Sequence, residues 1–383
     1  MMKNTIVLLV VLLMVAQTAF AETKKSSQAT VFYLLNSWKA EVDSEPVQTL
    51  KEVVFGLSAA LQTSERFLFE LDGTMANANL DPEVEGAEDL SLSSLNDTRI
   101  AATFFSSAGL TSLTAMANLP TGKTKLDEEQ YIIASSVADN SRKYLVRRFG
   151  QGLDLGAQGM VHPKAGNLAF HLGAGYMLKG KFQARENDTE KYKFGDEISA
   201  MAGFGYQKDK IAFMADGSYT MYMKDKVGDA EVFQAGAAMV IRGSVSYTDV
   251  VNFTTGVAVL TRGKGKVQDA SAGSELVDEA ERSGRNEFLW YGGVGYPVME
   301  KLRVNGRLEY QNFSENDYGK DTPLYRPKSN YFGIGGGGSY AFTPNFFAST
   351  MVTLYSGKVD ISDNYETDLS GLGLIFALTY RVM

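Results

Sequence analysis

The chain has 383 residues, 45 acidic against 37 basic, two histidines, 38 glycines, eight prolines and no cysteine. Without cysteine there is no disulfide framework, thiolate nucleophile, Cys-ligated zinc or lipoprotein anchor, and a formal charge of −8 argues against nucleic acid as a partner, which needs a concentrated basic surface. Abundant glycine with 22 Phe and 19 Tyr points to one large all-β domain.

At the start, Lys3, an apolar run from Ile6 to Ala16 and the small residues of Ala19-Phe20-Ala21 form the three parts of a cleaved secretory signal over residues 1–21. Past Glu22 no stretch approaches the ~18 consecutive apolar residues of a membrane helix. The sequence alternates instead. In 167 to 182, Leu168, Phe170, Leu172, Ala174, Tyr176 and Leu178 share one face, while His171, Gly173, Gly175 and Lys179 share the other. Residues 301 to 311 repeat the pattern, with Leu302, Val304, Leu308 and Tyr310 opposite Arg303, Asn305, Arg307 and Glu309. Period two means strand, and strands of this length suit a tilted membrane crossing of roughly nine to eleven residues better than a soluble sheet.

About sixteen such segments follow one another: 29 to 42, 47 to 62, 66 to 78, 94 to 107, 109 to 119, 151 to 162, 167 to 182, 196 to 207, 210 to 224, 230 to 246, 250 to 264, 286 to 297, 301 to 314, 328 to 342, 345 to 359 and 368 to 382. Tight turns such as 63 to 65, 107 to 109 and 343 to 345 alternate with mostly long polar connections, including 79 to 93, 120 to 150, 183 to 195, 265 to 285 and 315 to 327. Short turns opposite long loops, with Phe67, Phe69, Phe104, Tyr206, Phe213, Phe288, Tyr296, Tyr310, Phe332, Phe342 and Phe346 near strand ends, are the pattern of a bacterial transmembrane barrel. The predicted fold is all-β, an antiparallel up-and-down barrel of about sixteen strands with a short helix in one long loop. Because 29 to 42 alternates less cleanly, a fourteen-stranded barrel with that segment inside is the other arrangement.

The closing segment SGLGLIFALTYRVM, through Gly373, Phe376, Leu378, Tyr380 and Val382, resembles the terminal assembly signal of Gram-negative outer-membrane β-barrel proteins, with Met383 where an aromatic is usual. The segments from Asn118 to Glu129 and from Arg147 to Gly156 resemble putative transporters associated with phenol-degradation meta-pathway clusters. The resemblance implies a porin-like transport barrel in the outer membrane. It would be handed to the assembly machinery by its last strand and bounded by lipid and lipopolysaccharide. It specifies no solute. The expected organisation is residues 1–21 as signal and 22–383 as one barrel domain.

Two nucleotide-like motifs fall away on context. Ala117 to Thr124 fits a relaxed phosphate-loop pattern, but it follows an alternating strand in an exported chain, and the GxGxxG at Gly333 to Gly338 is followed by SYAF and a turn rather than a helix. Those glycines instead let a strand bend or another segment approach its inner face. His162 in a turn and His171 facing the lumen offer no acyl-transfer arrangement, so no catalytic residue is expected, and with no EF-hand spacing in the acidic loops neither metal nor cofactor is expected.

By parity Glu70, Asp72, Arg99, Asp154, His171, Asp216, Arg242, Arg262, Arg303, Arg307 and Glu309 line the lumen. Arg303, Arg307 and Glu309 stand on one strand, about 7 Å per two-residue step, as a ladder able to orient water and small solutes. The longest connection carries a helical pattern, with Asp127 and Gln130 as a capping box before YIIASSVA, and then Arg142, Lys143, Arg147 and Arg148. Folded inward it would narrow the mouth and attract anions; otherwise it is a solvated loop whose arginines touch lipid phosphates. The expected function is passive passage of small solutes. The alternatives are a plugged transporter for hydrophobic molecules and a structural or adhesive surface barrel.

Overall fold

A computed structural model describes residues 27–83, 86–138, 142–146, 148–268, 275–362 and 365–382. The proposed signal segment and Arg147 lie outside the described residues. Sixteen wall strands follow in order: β1 (Ser27–Val42), β2 (Glu45–Gln62), β3 (Phe67–Asp81), β4 in two pieces (Leu90–Leu95 and Thr98–Phe105) and β5 (Thr111–Leu119). After helix α1 (Glu128–Ala138) come β6 (Asp154–Val161), β7 (Leu168–Leu178), β8 (Glu197–Lys208), β9 (Ile211–Tyr222), β10 (Ala238–Thr248) and β11 (Asn252–Arg262). The last five are β12 (Glu287–Met299), β13 (Leu302–Phe313), β14 (Ser329–Thr343), β15 (Phe346–Ser362) and β16 (Tyr365–Val382).

Each strand pairs antiparallel with the next, and β1 pairs with β16 from Ser27↔Val382 to Glu41↔Asp368, which closes the sheet. Closure leaves no unpaired edge, the condition for a sheet in hydrocarbon. Residues 27–42 are therefore a wall strand, and the fourteen-stranded arrangement is ruled out by their pairing on both sides. No helix among the described residues is long and apolar enough to cross a membrane.

Alternation sorts the faces. Phe67, Phe69, Leu172, Phe204, Val257, Ile334 and Leu354 point outward and are exposed, and aromatic pairs such as Phe67–Phe104 and Phe288–Tyr310 stand across neighbouring strands. An exposed apolar outer face is what lipid solvates.

Several strands are shorter than the sequence suggests, for one reason. Lys181–Phe182, Tyr192–Lys193, Lys224–Val227, Ala230–Gln234, Lys266–Gln268 and Leu276–Asp278 pair into a separate six-stranded sheet beyond the loop end of β7 to β12. The expected strand 230 to 246 is broken at Gly236, where a Cβ would stand 2.0 Å from the Gly263 carbonyl oxygen, so two backbones meet where a side chain cannot fit. Carboxylates hold the bend. Asp154 accepts from the Gly180 N–H at 3.0 Å, Asp196 from the Lys179 N–H at 2.9 Å, Asp225 from the Gly195 N–H at 2.6 Å and Glu279 from the Gly265 N–H at 3.0 Å. Between the two pieces of β4, Asp97 likewise accepts from Gly122 at 2.9 Å and Gln151 at 2.7 Å. Backbone groups that leave the ladder at a bend need such acceptors.

Candidate functional site

The inner faces of β1 to β4, toward the loop end, carry Trp38, Leu50, Val54, Ala76, Ala78, Leu80 and Leu92, all buried. An apolar inner face must be covered, and the connection between β5 and β6 covers it. Asp127 Oδ1 accepts from the Gln130 N–H at 2.8 Å and so caps α1, whose Ile133 and Val137 are fully buried in this core. The chain then passes inside the barrel, adding Tyr144, Val146 and Phe149 to the same cluster.

Polar side chains of the wall fix this inner segment. Buried Glu52 accepts from the Leu145 N–H at 2.8 Å and the Val146 N–H at 2.9 Å, Asn36 Nδ2 donates to the Lys143 carbonyl at 2.8 Å, and the Tyr144 hydroxyl donates to the Leu50 carbonyl at 3.0 Å. Lys143 Nζ sits 2.5 Å from Glu309 Oε1, while Arg307 Nη2 lies 2.5 Å from the other carboxylate oxygen. Burial pushes the Lys143 ammonium below the ordinary lysine pKa, against the opposing pull of Glu309. Around this pair stand three rings: Trp38 stacks on Tyr355 at 5.0 Å, meets Tyr331 edge-on at 5.3 Å, and Tyr331 meets Tyr355 at 5.9 Å. Inner-face glycine makes the room, since a Cβ on Gly371 would lie 2.9 Å from the Trp38 ring and one on Gly333 2.7 Å from Tyr355.

The register sets all eleven parity-chosen residues on the inner face, in different company. Ser58 donates to Asp72 at 2.7 Å, with Arg99 3.9 Å away, and Glu70 stands opposite Ala60 and Ala101. Asp154 is buried at the bend with Lys179 at 3.4 Å. His171 lies across Gly203, the Asp216–Arg242 pair spans 3.5 Å, and Arg262 packs along Gly284. Arg303 lies against Asn252; with the Asn252 amide oxygen turned toward it, the guanidinium donates at 2.7 and 3.0 Å. Arg307 and Glu309 join the inner segment, so the ladder is divided between two environments. The three described basic residues of the connection do not act together either, because Lys143 is committed to Glu309, Arg148 lies over the Phe194 ring at 5.1 Å and Arg142 is half-buried.

Cavities remain in the lumen. One of about 790 Å³ adjoins the inner segment, between Phe32, Asp72, Leu145, Leu289 and Gln311. A second, about 600 Å³, lies along His171, Asp216, Arg242 and Tyr291, and a third, about 610 Å³, along Asn252, Arg303, Asn305 and Arg307. Sequence reasoning missed Asn36, Trp38, Glu52, Tyr331 and Tyr355. Their signal was a lone acid at 52 between inward Leu50 and Val54, and inward aromatics registered against glycine.

A closed sixteen-stranded antiparallel sheet with an apolar exterior and charged interior is the fold of outer-membrane β-barrels. No family model matches the chain, and no curated protein matches it. Among solved structures it is similar to the TodX monoaromatic hydrocarbon channel deltaS2 mutant, with TM-score 0.50 and 10% identity over 94% of this chain and 91% of that one. It is also similar to OpdQ of Pseudomonas aeruginosa, with TM-score 0.45 and 12% identity over 94% and 98%. OccK7 of Pseudomonas aeruginosa gives TM-score 0.43 and 10% identity over 94% and 99%. The shared feature is the barrel.

Proposed function

We propose that this chain is an outer-membrane channel for small solutes, narrowed by its own β5–β6 connection. Its termini face the periplasm, its apolar belt meets lipid and its long loops meet lipopolysaccharide. β16, with Phe376, Leu378 and Tyr380 outward, is the strand offered to the assembly machinery. The observation that carries this reading is the inner segment 142–146, held to β1, β2 and β13 through Asn36, Glu52 and Glu309, while Asp216 and Arg242 across the lumen stay exposed to solvent. A segment pinned by a few polar contacts inside a wet lumen is a constriction rather than a second wall. Arg242, Arg262 and Arg303 then give the remaining passage a positive side that favours anions.

The measurement is single-channel conductance of refolded protein with reversal potential under a salt gradient. Small open levels that enlarge in Glu52→Ala support the reading; absence of current in both proteins, shown to be folded and inserted, overturns it. Passage of hydrophobic compounds is the second reading, favoured by Phe32, Leu145 and Leu289 around the cavity of about 790 Å³. It predicts solute uptake without ionic current.

A further inference from the structure

The Lys143 ammonium sits where a ligand would sit. Its partners Glu309, Tyr331, Tyr355 and Trp38 belong to four wall strands, β13, β14, β15 and β1, and are fixed whether or not the inner segment is seated. Lys143 alone comes from the connection, 5.5 Å from the Tyr331 centroid, 6.0 Å from that of Tyr355 and 2.5 Å from the Glu309 carboxylate. A carboxylate floor with aromatic walls is the chemistry that recognises organic ammonium ions, because ring faces attract a cation that sheds its water poorly into hydrocarbon. Glu309 is fully buried, with Arg307 on one carboxylate oxygen and Lys143 on the other, so the oxygen that Lys143 holds meets a cation rather than solvent.

Two further observations mark Lys143 as the replaceable member. Its backbone lies in the left-handed region, φ 52°, where a non-glycine residue is strained, which opposes its seating. It also borders the 790 Å³ cavity, so Lys143 stands between the cage and space a solute can occupy.

We propose that Glu309, Tyr331, Tyr355 and Trp38 form a binding site for organic ammonium solutes, and that Lys143 is the tethered cation that fills it in the narrowed channel and gives way to them. This rests on the channel reading for its consequence, the widening of the passage, but not for binding itself. Bound solute would free residues 142–146 from β13 and leave Glu52 and Asn36 as the remaining pins.

The test uses refolded full-length protein carrying Trp290→Phe, a change on the lipid-facing side of β12 that leaves Trp38 as the only tryptophan. Phenethylammonium is titrated against Trp38 emission, beside the neutral alcohol of matching shape. The expected result is saturable change with the ammonium ion alone, binding at least tenfold tighter in Lys143→Met, and loss of binding in Glu309→Gln. Equal response to the neutral alcohol in the unaltered cage, which depends on no cage variant folding, overturns the proposal. So does unchanged affinity in Lys143→Met whose heat-shifted gel mobility shows a folded barrel. Parallel conductance separates the two readings. Binding that follows the expected pattern while current stays unchanged supports the site and overturns the gate; current that Glu52→Ala enlarges without any ammonium binding supports the channel and overturns the site.

Discussion

The wall around Glu309, built from β13 to β16 and β1, and the wall around Arg242, built from β8 to β12, share one scaffold and one alternation, yet they treat charge in opposite ways. On the first, Glu309 is 0% exposed and held between Lys143 and Arg307; on the second, the Arg242 side chain is 63% exposed and its partner Asp216 30%. The difference is in what each wall places beside its charges. Large inward rings opposite glycine make a surface that another segment can cover without voids. Small residues such as Ser218, Ser244 and Ala258 near Arg242 leave nothing to cover, and water remains. A buried pair is held by geometry, whereas an exposed pair contributes little to stability and acts through its field.

Four changes would break or sharpen this contrast. Trp38→Ala should be the most damaging, about 3–5 kcal/mol in denaturant unfolding, because it removes the fully buried ring that packs on both Tyr331 and Tyr355. Glu52→Ala leaves the Leu145 and Val146 N–H groups without their acceptor; a loss of about 2–3 kcal/mol together with a larger open level is expected, and unaltered current would place the constriction elsewhere. Arg242→Gln should change stability by less than about 0.5 kcal/mol while moving the reversal potential toward cation preference, a pairing of effects that the buried side would not show.

The smallest effect concerns the bend. Burial pushes the Asp196 carboxyl up, but the Lys179 N–H, the Lys193 ammonium and the Tyr176 hydroxyl outweigh it and hold the group below its ordinary 3.8. A carboxylate depressed in the folded state contributes stability that is complete above its unfolded value and is lost as pH falls through the lower, folded one. Protease cleavage of the outer six-stranded sheet should therefore stay slow at pH 5 and rise only below about pH 4. Asp196→Asn should remove that pH dependence.

The wall was legible because turns and alternation are local. Parity counted from a turn reaches Arg242 with no register shift on the way, and the bulge beside Pro297 falls on β12 and leaves the alternation of Arg303 along β13 unbroken. The bends were not legible, since Gly236 is dictated by the approach of Gly263 across the far end of the β10–β11 hairpin, 27 positions on in the chain. The inner segment was half legible. Asp127 and the helical run announced α1, but its partners Ala76, Ala78, Leu80 and Leu92 lie far back in the chain, and their inward apolar character has meaning only once the barrel is closed. The expectation of a joint basic cluster at the mouth failed for the same reason: nothing near Lys143 in sequence announces Glu309.

The contacts of Lys143 also bear on how the molecule comes together. Its carbonyl is held by Asn36, 107 positions earlier, and its ammonium by Glu309, 166 positions later, so the middle of the chain ties down strands from both ends. Those strands become neighbours only when β1 meets β16, the pairing of greatest sequence separation and hence the slowest to form by chain entropy. Seating of residue 143 is thus a report that the seam has zipped. A barrel arrested before that step carries a Glu309 held by Arg307 alone and an unlatched core, the two marks by which a half-assembled molecule differs from a finished one.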